Sequence, residues 1–193
     1  MKLFLSLFSA ALAFSSVAAT LPDNVHIIAQ GSSYDVFVTE PATTGYDNGL
    51  QPVSLWTSTR YNGESRCILT THPEAELGME AYSFTTPEQG KVVPEQAVKC
   101  VDQVWVHPYD ESILVLSGIP DSRNVYTFIL DIRNGTLIHL PSNAAFKGFT
   151  DEDGDILVES YNYYPEGGRY SVVSAYDMQG RRVGFMELKH IVP

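Results

Sequence analysis

The chain is poor in basic residues. Its 193 residues carry Lys+Arg 12 against Asp+Glu 23, a formal net charge of -11. Nucleic acid needs a basic surface to displace its counterions, so that partner class is excluded, as is docking on an anionic bilayer. Cysteine is also scarce, with 2 in the whole chain, so at most one intramolecular disulfide can form. No long apolar stripe with helical period is present. There is no Gly-x-Ser-x-Gly elbow, no phosphate-cradling glycine loop followed by Lys, and no His-Glu-x-x-His. The 5 histidines lack the close spacing of a zinc site, and no cofactor is implied. His72-Pro73-Glu74 and His107-Pro108-Tyr109 share a local context, and both histidines read as structural. Hydrophobic residues still make up 44% and charged residues 18%, the balance of a folded domain.

The one extended apolar run lies at the start. Lys2 precedes Leu3 to Phe14, then Ser15, Ser16 and the small residues Val17-Ala18-Ala19. This is the pattern of a secretory signal peptide, too short for a membrane span. Cleavage after Ala19 leaves residues 20–193 as a single domain without a membrane span, exported to a periplasm or secreted. In an oxidising compartment Cys67 and Cys100 are expected to pair. That bond would close a loop of roughly thirty residues and stabilise by about 3–4 kcal/mol.

Beyond residue 24 the chain reads as short strands and turns with an internal repeat. Three segments share one grammar: YDVFVTE (34–40) with PVSLWTSTRYNGESRCILTT (52–71), then 111–140, then 154–188. Each opens with an apolar run (VFVTE, ILVLS, ILVES) and continues through a polar loop to a second apolar strand. That strand ends in a tight turn, at Asn62-Gly63, Asn134-Gly135 or Gln179-Gly180, and a last strand closes the unit. Asn-Gly is a strong hairpin signal, expected here to place both turn residues at positive φ. A weaker strand precedes each unit, at 25–30, 101–106 and 145–150. Residues 72–100 read as an insertion, with short helices expected at Pro73 and Pro94. The runs ILVL and YTFIL are apolar at consecutive positions, which predicts strands covered on both faces by stacked sheets.

These units have the size of a propeller blade. In ILVLS…YTFILDIRNG and ILVES…SVVSAYDMQG, a strand ends in Asp before a turn ending in Gly. On these residues the sequence resembles the blade repeat of β-propeller proteins over most of 25–188. It lacks the Trp-Asp and double-glycine signatures of the common blade types. The resemblance implies an all-β fold of repeated four-stranded antiparallel units, propeller-like, with about three blades. Three are fewer than the roughly four to eight blades of a closed ring. The array would be open or completed by a second copy, making a homo-oligomer. A β-sandwich or barrel of similar hairpins is the alternative.

The acidic string Thr150 to Asp155 does not fit a calcium loop, because Phe149 and Ser160 fall at its first and last ligand positions. A turn built on Asp153-Gly154 accounts for it. Asn134-Gly135-Thr136 also matches a glycosylation sequon. The candidate binding residues are aromatic. Tyr161, Tyr163 and Tyr164 cluster in a loop before Gly167-Gly168, and Trp56, Tyr61, Trp105 and Tyr109 are expected to join them at one end. Tyr offers a flat apolar face with a polar tip, suited to a glycan or a protein partner. The expected function is therefore a non-catalytic binding or interaction module. The alternatives are a polymer-acting hydrolase or lyase with convergent carboxylates, and a self-assembling structural unit.

Overall fold

The computed structural model describes residues 25–39, 52–75, 88–121, 124–141, 143–163 and 167–188. The expected signal peptide, Tyr164 and residues 76–87 of the expected insertion lie outside these residues. Within them the chain is all-β, apart from one short 3-10 turn, Glu95–Ala97. No helix among them is long and apolar enough to cross a membrane.

Among the described residues, thirteen strands form three antiparallel sheets. The first is a meander of β1 (Val25–Gln30), β2 (Tyr34–Thr39), β3 (Ser54–Thr59) and β4 (Ser65–Thr70). The second contains β5 (Lys91–Val93), β6 (Gln103–Val106), β7 (Ile113–Asp121), β8 (Asn124–Asp131) and β9 (Thr136–His139), in the order β5-β9-β8-β7-β6. The third is a meander of β10 (Ala145–Phe149), β11 (Ile156–Tyr163), β12 (Arg169–Tyr176) and β13 (Arg182–Leu188). The repeat in the sequence thus corresponds to three four-stranded meanders. The segment read as an insertion departs from expectation. A simple turn follows Pro73, where Ala75 N–H donates to His72 O at 2.8 Å. Ahead of the 3-10 turn, Lys91–Val93 adds a fifth strand by pairing with β9.

The second sheet is covered on both faces. Leu114 and Leu116 of β7, Phe128 and Leu130 of β8 and Leu137 of β9 pack with Val36, Leu55 and Leu69 of the first sheet. The intervening Ile113, Val115, Ile129 and Ile138 pack with Ile156, Val158 and Tyr176 of the third. Successive side chains of a strand point to opposite faces, so a strand with neighbours on both sides must be apolar at every position. The run ILVL meets that requirement, and in YTFIL the one polar member, Thr127, is buried with its hydroxyl donating to Ala144 O at 2.6 Å.

Close backbone approach fixes one residue of this sheet. Gly118 pairs with Tyr126, and a Cβ built on it would sit 2.2 Å from the Cys100 carbonyl oxygen. Gly118→Ala is expected to lower the urea midpoint by an amount equivalent to about 1–3 kcal/mol, the usual cost of overpacking. An unchanged midpoint would show that Cys100 is free to shift.

The expected disulfide is corrected by the fold. Cys67 and Cys100 are not bonded to each other: Cys67 is exposed and Cys100 buried. Cys67 lies opposite Trp56 on the face of the first sheet turned away from the second. Cys100 is held against Gly118 of the second sheet. A disulfide needs Cα atoms within about 7 Å and converging Cβ vectors, and the stacking places the two thiols on different sheets.

Candidate functional site

The strand directions gather six connections at one end of the stack. They are 31–33, 60–64, 107–112, 132–135, 150–155 and 177–181. Their tightness follows from local chemistry. Gly63, Gly135, Gly154 and Gly180 have φ of 67, 67, 70 and 72°. Asn62 and Asn134 are not at positive φ, so the expectation of two such residues per turn is corrected. Each turn is instead a right-handed bend closed by one left-handed glycine, as in a longer hairpin loop. Gly63 N–H donates to Thr59 O at 2.9 Å and Gly135 N–H to Asp131 O at 2.8 Å. The aspartates that end the strands explain the Asp-to-Gly pattern. Asp131 Oδ1 accepts from Arg133 N at 2.9 Å and Asn134 N at 3.1 Å, and Asp177 Oδ1 from Gln179 N and Arg181 N at 2.9 Å.

Side chains then tie the turns of different sheets together. The Glu111 carboxylate accepts from Ser32 N, from Ser33 N at 3.2 Å and from Ser33 Oγ at 2.5 Å. These donors, Ser32 foremost, hold its carboxyl down to about 2. Tyr34 OH donates to Glu111 O. Burial and the nearby Glu111 and Asp110 push its phenol up to about 12. First and second sheets are joined there.

His107 joins the second sheet to the third. It is 1% exposed, and its Nδ1 accepts from Tyr109 N at 3.2 Å and Asp110 N at 3.1 Å. With Nδ1 occupied by two donors, the ring proton sits on Nε2, which donates to Gly154 O at 2.9 Å. The ring stands edge-on to Phe149 at 5.3 Å. Tyr109 OH donates to Asp151 O, fixing the tyrosine ring over the same turn. Gly154 is required here twice over, by its φ and because a Cβ would lie 2.7 Å from Tyr109 and 2.9 Å from His107.

Among the described residues, two large aromatic faces remain open on this end: Tyr61 is 99% exposed and Tyr109 60%. The arginines at the same end are committed. Arg60 pairs with Asp35 at 2.6 Å, Arg133 with Asp110 at 3.4 Å and Arg181 with Asp177 at 2.7 Å.

The other aromatic candidates do not converge with these. Trp105 packs against Phe146 at 4.3 Å, between the second and third sheets. Trp56 stacks on Phe37 at 6.4 Å and donates from Nε1 to Thr39 Oγ1 at 3.1 Å. Tyr161 is exposed near the end of β11 that leads into β12, at the opposite end of the stack from Tyr109. Tyr163 occupies β11 opposite Arg169, its side chain lying outside the described residues, as does Tyr164 entirely. The loop staples Glu111 and His107 were not singled out as such by sequence. The shared His-Pro context was the only signal, and it did not name their partners 47 to 79 residues away.

A pocket of about 430 Å³ opens between β4 and the β5–β9 edge, lined by Arg66, Cys67, Leu69, Pro94, Glu95 and Leu137 among others. Glu95 spends one carboxylate oxygen on Thr70 N–H at 2.7 Å. Among the described residues, no three His, Cys, Asp or Glu side chains are gathered to hold a metal ion. No protein-family model, no curated protein and no solved structure matches this chain.

Proposed function

We propose that the protein is an exported, non-catalytic interaction module, and that its tight-turn end docks a protein partner through Tyr61 and Tyr109. Its three meanders serve as propeller-like blades that present short loops on a rigid base. One observation carries the reading: two exposed tyrosine faces stand on an end whose turns are cross-bonded by Glu111, His107 and Tyr109 itself. Fixed loops lose little conformational entropy on binding, and tyrosine supplies large contact area with few rotatable bonds. Tyrosine and arginine are also the residues enriched at protein interfaces, and Arg60 neighbours Tyr61 in the same turn.

Export is tested by the N-terminus of the protein recovered outside the cytoplasm, expected at Thr20. For docking, the purified protein is incubated with envelope and extracellular fractions of its source cells. Tyr61→Ser/Tyr109→Ser is expected to weaken retention by about 10-fold or more, the effect of removing central aromatic anchors. Tyr161→Ser, at the other end, is expected to leave it unchanged. Equal retention of the double variant and the wild type would overturn the reading, and a loss confined to Tyr161→Ser would move the docking surface to the opposite end.

A further inference from the structure

We infer that the group received at Tyr109 is cationic, a Lys or Arg side chain of the docked protein. This inference rests on the docking reading above and adds the chemistry of the partner. Tyr109 offers a ring that is 60% exposed and cannot swing away, because its hydroxyl is bonded to the backbone of Asp151. The turn that holds it carries the carboxylates of Asp151, Glu152 and Asp153, all exposed. None of the three carboxylates makes an ion pair or hydrogen bond with another described residue. The cations of the same end are already spent on Asp35, Asp110 and Asp177. An aromatic face beside unpaired carboxylates attracts a cation twice, through the ring quadrupole and through charge.

The local field agrees with this. Asp155, half-buried behind the turn, has its carboxyl raised by burial and then by the carboxylates of Asp153 and Asp177. Like charges are crowded at this turn, and a partner cation would relieve that crowding. The exposed acids are compatible with folding alone because water and salt screen them. They become a recognition element when an incoming basic side chain is desolvated against Tyr109.

The test uses a peptide of arginines spaced by Gly-Ser, compared with a lysine-free, arginine-free Gly-Ser peptide, by fluorescence anisotropy. The arginine peptide is expected to bind and the neutral one not. Raising salt from about 20 mM to about 200 mM is expected to weaken binding about 10-fold. Asp151→Asn/Glu152→Gln/Asp153→Asn is expected to weaken it about 10-fold, and Tyr109→Leu about 3-fold. Glu74→Gln/Glu95→Gln removes two acids away from this end and tests whether loss of negative charge elsewhere weakens binding; it is expected to change affinity by less than about 2-fold. Equal effects of the two acid variants would overturn the inference, as would a Tyr109→Leu variant binding like wild type. The cation inference and the docking reading fail separately. If Tyr61→Ser/Tyr109→Ser abolishes envelope retention while the acid variant and salt leave retention unchanged, docking stands and the cation does not.

Discussion

Phe128→Ala is expected to lower the unfolding free energy by about 3–5 kcal/mol, enough to leave a domain of this size partly unfolded at physiological temperature. Phe128 is fully buried at the centre of the three layers. Its ring lies 4.8 Å from His139 and 6.4 Å from Tyr126, in the cluster that joins the first sheet to the second. Truncation removes the transfer free energy of the ring and leaves a cavity that two stacked sheets cannot easily collapse, because their spacing is held by neighbouring pairs. Urea unfolding reads the loss. The comparison is Phe185→Ala on β13, where the side chain is 63% exposed. A surface change of that kind is expected to stay within about 0.5 kcal/mol. Similar losses at both positions would mean that the layers are not stacked as described.

Acidification is expected to cost the fold about 3 kcal/mol at most between pH 6.5 and about 4, through one histidine. His139 is 4% exposed, lies between the rings of Tyr126 and Phe128, and has no partner for Nε2 among the described residues. Burial, and secondly Lys91 across the β5–β9 pair, push its imidazole down from 6.5 to about 4. The folded state therefore holds the neutral ring while the unfolded chain takes up a proton below 6.5. Stability falls as pH drops through that window and levels off below about 4. Glu111 acts in a lower window. Its carboxyl is depressed from 4.5 to about 2, so its contribution is present above 4.5 and lost as pH falls toward 2. His139→Leu separates the two effects. It removes a buried polar nitrogen with no partner, so the variant is expected to be as stable as wild type or more so near neutral pH. Its stability is then expected to be flat between pH 6.5 and 4 relative to wild type. If the variant keeps the wild-type slope in urea unfolding, His139 is not the titrating group.

Legibility in the sequence followed locality. The strands of all three meanders were readable, because apolar runs, their boundaries and the Gly-closed turns are properties of neighbouring residues. Val25–Gln30 was recovered to the residue. Even the double coverage of the second sheet was written in ILVL and YTFIL, since a strand between two layers cannot alternate. The strand Lys91–Val93 was missed because three residues carry too little pattern to stand apart from a proline-rich connection. The turn mechanism was half right. The glycines were found, but the role of Asp131 and Asp177 as acceptors for the turn amides depends on geometry that composition does not express.

The aromatic site fared differently. A list of tyrosines and tryptophans does not say which face or end each occupies, and the sheets sent Trp105 inward, Trp56 to an outer face, and Tyr109 and Tyr161 to opposite ends. The two cysteines were separated by the same stacking.

The sequence by itself therefore determined an all-β chain of three repeated antiparallel units with tight turns, because those features are set by side-chain period and backbone freedom within a few residues. The tertiary structure alone decided which turns share an end, that Glu111 and His107 bind those turns together, and that Tyr61 and Tyr109 stand exposed on the result. Those contacts join residues 47 to 79 positions apart. They exist only once the sheets have stacked, and the energy that stacks them lies in the buried faces rather than in the loops they bring together.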